Sequence, residues 1–80
     1  MNNFSDRLKQ LRMERGYTLW DLALKCDISK SALGMYERDE RQPKIETVEQ
    51  LADVFNVDID YLLGKTDVRN QIASSLGVSS

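Results

Sequence analysis

Histidine is absent from the chain, and with it the commonest general base and neutral metal ligand. The single cysteine, Cys26, has no internal partner, so stability must come from packing, and a reducing cytoplasm suits such a chain. No stretch reaches the roughly 18 apolar residues that a membrane-crossing helix needs, so no membrane partner is expected. The first residues carry no signal-peptide pattern. A Gly-rich phosphate loop is missing, and no paired carboxylates mark out a cleft. Asp58 and Asp60 read as helix-start charges, since no third ligand stands at suitable spacing. These absences argue against an enzyme, a metal site or a cofactor. Strand signals, internal repeats and low-complexity blocks are lacking too.

What remains suits one small domain of 80 residues, 41% of them apolar. The net charge is −2, but it is unevenly spread. Residues 1–45 hold nine Lys/Arg against seven Asp/Glu, and residues 46–80 hold two against six. The basic side chains therefore belong to the first half of the chain and the acidic ones to the second. Such a field can orient a domain on a polyanion without binding it tightly.

The apolar spacing is helical throughout. Phe4, Leu8 and Leu11 predict a first helix from about Ser5 to Arg15, closed by Gly16. Two short helices follow, at about 19–26 and 30–38. Each opens with a hydroxyl residue, Thr18 or Ser29, that can cap free N–H groups at about 1 kcal/mol per cap. Each hydroxyl is preceded by an apolar brace, Tyr17 for Leu22 and Ile28 for Leu33. Asp27 falls in the turn between them, where a positive φ is expected. Cys26 shares the apolar stripe of Leu22 and Ala23 and reads as core. After an irregular stretch from Asp39 to Lys44, Val48, Leu51, Ala52 and Phe55 give an i, i+3, i+4, i+7 stripe. A last short helix is capped by Asp58, braced by Val57 on Leu62 and closed by Gly64. The expectation is an all-α fold of five helices around one core over residues 1–64. Residues 65–80 read as a flexible tail or linker, though Val68, Ile72 and Leu76 permit a weak extra helix.

A helix, a tight turn and a second helix make a helix-turn-helix, whose second helix commonly enters the major groove of DNA. On a helical wheel Ala32, Leu33 and Tyr36 face inward. Lys30, Ser31, Gly34, Met35 and Arg38 face outward. Lys can donate to guanine, Ser serves either base type, and Met35 suits a thymine methyl. Gly34 costs a helix about 1 kcal/mol relative to Ala, which invites a steric reason such as close approach of DNA. Trp20 and Leu24 project together from the second helix away from its core stripe. With Leu19 they suggest a contact patch for a partner protein or another domain.

Residues 4–64 resemble the phage-repressor/Cro-type, or XRE-like, helix-turn-helix family. The resemblance rests on Arg12, on Thr18-Leu-Trp-Asp-Leu-Ala23, on Ile28-Ser29, on Tyr36-Glu37-Arg38 and on Arg41-Gln-Pro43. It continues through Glu46-Thr47, Leu51-Ala52 and Val57 to Tyr61-Leu-Leu-Gly64. It implies a compact lambda-repressor-like fold that binds double-stranded operator DNA, commonly as a homodimer and as a repressor of bacterial or phage origin. It places Lys30, Ser31 and Met35 against base edges, with Gly34 alongside. It places Arg38, Arg41 and Lys44 on phosphates, and the backbone N–H groups at the start of the second helix, Thr18, Leu19 and Trp20, can receive another phosphate through the helix dipole. It implies a structural ion pair between Arg12 and Glu37, and a dimer surface at Asn56, Val57, Asp58 and Tyr61. A protein antirepressor or a C-terminal partner domain would be a further partner. Two departures stand out: Leu19 replaces the family's usual Gln, and Asp27 its usual Gly. The alternative is a protein-interaction or antitoxin-like module that uses the Trp20/Leu24 face.

Overall fold

The computed structural model describes residues 3–69. Five helices follow in order: α1 (Phe4–Glu14), α2 (Leu19–Cys26), α3 (Lys30–Glu37), α4 (Ile45–Phe55) and α5 (Ile59–Leu62). Each boundary has a local cause. Asn3 caps α1 by accepting the Asp6 N–H at 2.9 Å, which starts the helix one residue earlier than its apolar spacing suggests. Gly16, at φ 70°, turns the chain out of α1. Thr18 and Asp21 form a reciprocal capping box on α2, and Ser29 caps α3 through the Ala32 N–H at 3.0 Å. Asp27 has the positive φ expected of the turn, at 55°. Asp39 and Asn56 adopt the same left-handed conformation after α3 and α4. Asp58 occupies the N-cap position of α5, but its side chain makes no capping hydrogen bond, contrary to expectation.

The inward stripes meet in one core. Leu8, Leu11, Leu22, Leu33, Leu51, Phe55 and Leu62 are its largest fully buried members, with Cys26 among the rest. The braces Tyr17 and Ile28 are half-buried against it, and the Tyr17 ring stacks on Phe55 at 6.4 Å. α3 is held by α1 and α2; α4 rests on α2 and α5. Burial around α1 also takes in two polar residues. The Ser5 hydroxyl donates to the Tyr36 carbonyl at 2.7 Å, fastening the start of α1 to α3. The Arg7 guanidinium lies 4.0 Å over the Tyr61 ring and pairs with Asp67 at 2.6 Å.

That last contact changes the reading of the domain's end. Residues 65–69, expected to begin a flexible tail, run back along α1. Asp67 meets Arg7, and Arg69 makes a two-pronged pair with Glu14 at 2.8 and 2.7 Å while covering Tyr61 at 4.9 Å. The long-range partners of two α1 side chains draw this segment in. Val68 is exposed. Ile72 and Leu76, with the rest of the tail, lie outside the described residues.

Candidate nucleic-acid interface

α3 presents two unlike faces because eight residues of helix cannot bury more than one. Ala32, Leu33 and Tyr36 point into the core. Lys30 and Ser31 are exposed at the helix start and Met35 is half-exposed one turn on. These three line a shallow cleft with Leu19, Gly34 and Arg38. The Arg12 guanidinium fixes the pose from behind. Its Nε and Nη2 donate to the two oxygens of Glu37 at 2.6 and 3.1 Å, and its Nη1 donates to the Tyr17 carbonyl at 2.8 Å. The hydrogen bond to Glu37 raises the Arg12 pKa despite its burial. One arginine of α1 thus ties together the end of α3 and the entry to α2.

Gly34 departs from expectation. It is buried rather than open on the outward face, because the Arg38 side chain lies across it. A Cβ built there would stand 3.0 Å from Arg38 Nη1. What lies over Gly34 in the structure is thus intramolecular, the movable end of a side chain from one turn further along. Arg38 is also held at 3.1 Å by Glu40, which competes with any phosphate. Arg41 and Lys44 are exposed, and among the described residues neither makes an ion pair.

The start of α2 needs a second correction. The Thr18 N–H donates to the Asp21 carboxylate at 2.8 Å, so it is not available to a phosphate. The Asp21 carboxyl is held below its ordinary value, first by this backbone hydrogen bond and then by the Thr18 hydroxyl. A fixed negative charge thus sits at this helix end, and only the N–H groups of Leu19 and Trp20 lie outside the box. Asp three residues after Thr18 was the sequence signal for it.

Of the expected dimer surface, two of the four residues are drawn inward. Val57 and Tyr61 are 2% and 4% exposed in the single chain, consumed by its own core. Asn56 is exposed and Asp58 half-exposed, and they are what remains of that set at the surface. By contrast Trp20 and Leu24 are 64% and 81% exposed, as their place on the wheel indicated. Lys30 Nζ lies 5.8 Å from the Trp20 ring centroid, a contact across the turn that no periodicity could forecast. The Cys26 thiol is pushed up to about 11 by burial, which leaves it inert as a core residue.

A capped short helix, a left-handed turn and a second helix with a cationic outer face define a helix-turn-helix domain. The chain belongs to the helix-turn-helix family, whose model matches residues 8–62. ImmR, an HTH-type transcriptional regulator of Bacillus subtilis (strain 168), is 41% identical over 70 residues, covering 88% of this chain and 55% of ImmR. The N-terminal DNA-binding domain of SinR from Bacillus subtilis superposes with a TM-score of 0.71 at 38% identity, covering 75% of this chain and 88% of that one. SinR crystallised in complex with DNA gives the same TM-score of 0.71 and identity of 38%, covering 75% of this chain and 97% of that one. The chain spans about half the length of the curated relatives it matches. Among the described residues no helix is long and apolar enough to cross a membrane, and no cluster of carboxylates or thiols could hold a metal ion.

Proposed function

We propose that the chain is the DNA-reading part of a bacterial or phage transcriptional repressor, acting in the cytoplasm on a palindromic operator as a dimer. Lys30, Ser31 and Met35 on α3 face the base edges of the major groove. Arg41 and Lys44 meet flanking phosphates, with Arg38 joining them once it leaves Glu40. The observation that carries this reading is the division of α3: Lys30 and Ser31 stand clear in solvent while Leu33 and Tyr36 are fully engaged inside. The relatives named as transcriptional regulators, and SinR in complex with DNA, support it. On a two-fold operator the half-sites lie one helical turn apart, roughly 34 Å.

Selection from random duplexes tests the proposal, and a palindromic motif is the expected result. A salt titration on the selected site then counts phosphates. Arg41→Ala is expected to flatten the log–log salt slope by about 0.9, the share of one neutralised phosphate. Binding without sequence preference, or none, would overturn the proposal. The exposure of Trp20 and Leu24 favours a second reading, in which a protein partner binds that face. Its sign would be a stable protein complex lost in a Leu24→Ser variant that still binds DNA.

A further inference from the structure

Lys30 is shared, with Ser31, by the linings of two grooves. One is the cleft with Leu19, Gly34, Met35 and Arg38. The other is an apolar groove along the α2–α3 turn, lined by Trp20, Ala23, Leu24 and Ile28, with Ser29 and Ser31 beside Lys30 at its edge. A lysine has a flexible four-carbon stem and a compact ammonium, so from this shared position it can lean either way. On a bound duplex the two directions would bring the ammonium to different positions along the groove. Among the described residues no carboxylate lies within ion-pair range of Lys30 to settle the choice. The ring of Trp20 lies within cation–π range of it instead, 5.8 Å from the ammonium, and indole is the best aromatic face for a cation. Trp20 is the chain's one tryptophan, and no burial requirement explains it there, since it sits largely in solvent.

We propose that Trp20 is a positioning residue, which holds Lys30 toward the α2 side of the recognition surface and so selects the base pair that its ammonium reads. This rests on the DNA-binding reading above. The ring does not touch a base; it narrows the directions open to the cation before DNA arrives.

A double-mutant cycle on the full 80-residue chain tests this, with affinities for a selected operator and its single-base variants measured by fluorescence anisotropy. Trp20→Ala is expected to relax preference at one base pair by about two- to five-fold, the equivalent of an exposed cation–π contact. The salt slope stays as it was, and Trp20→Phe keeps part of the preference. In a Lys30→Ala background, Trp20→Ala then changes nothing. Without DNA, Lys30→Ala is expected to shift the emission of Trp20 itself. An unmoved emission, an unchanged preference, or a loss by Trp20→Ala that persists without Lys30 would overturn the inference. A wild-type chain lacking any sequence preference would instead overturn the reading beneath it.

Discussion

Arg12 engages three guanidinium nitrogens with residues outside its own helix. Arg12→Met leaves the Glu37 carboxylate, whose side chain is 8% exposed, without its partner. A stranded charge of this kind is expected to cost about 3 kcal/mol, read as a lower urea midpoint with an unchanged slope. Gly34→Ala tests the opposite situation. The new methyl meets the far end of an exposed, flexible Arg38, which can swing aside. The helix then gains most of the roughly 1 kcal/mol that glycine forfeits, and thermal melting is expected to rise. A fall in melting temperature would show that Arg38 cannot move cheaply. Arg12 and Glu37 were legible because their motif positions carry the pairing. Gly34 was legible as an anomaly but not in its cause. A helical wheel gives the direction of a residue and says nothing of where a long side chain four positions later will lie. Arg7 offered no signal, since its partner Asp67 is 60 residues away.

Hydroxyl caps, apolar braces and left-handed exits mark the helices, and most are local in sequence. This is why α2 and α3 could be placed from the chain alone, while α4 was legible from its stripe of Val48, Leu51, Ala52 and Phe55. α5 was placed from the same signals, though Asp58 does not close its cap as anticipated. Two helix ends carry a pH dependence. Asp21 at the start of α2 is held below its ordinary carboxyl value by the Thr18 N–H. Glu14 at the end of α1 is held below its ordinary 4.5 by the hydrogen bond from Arg69. Both carboxylates bind their protons less readily folded than unfolded. Their contribution is therefore complete above their ordinary values and lost as the pH falls through the folded ones. Stability to urea is expected to fall from about pH 4.5 downward. Glu14→Gln and Asp21→Asn should each flatten that decline.

For the molecule as a whole, the unforeseen element is the strap of residues 65–69 across α1. A chain stopped after Gly64 loses Asp67 and Arg69 together, and among the described residues leaves the buried Arg7 with the Tyr61 ring alone as a side-chain partner. Such a chain should still fold, since the core is intact, but be roughly 2 kcal/mol less stable in urea. Equal stability would mean that the strap adds nothing to α1. Sequence reasoning set the domain edge at Gly64 because helix signals stop there, and ion pairs across long separations leave no periodic trace. The position of the Arg12 clasp has one more consequence. It grips α3 at its far end and from the inner side, well away from Lys30 and Ser31. The side chains on that outer surface can thus be exchanged like type in a fixed press while the frame that holds them stays as it is.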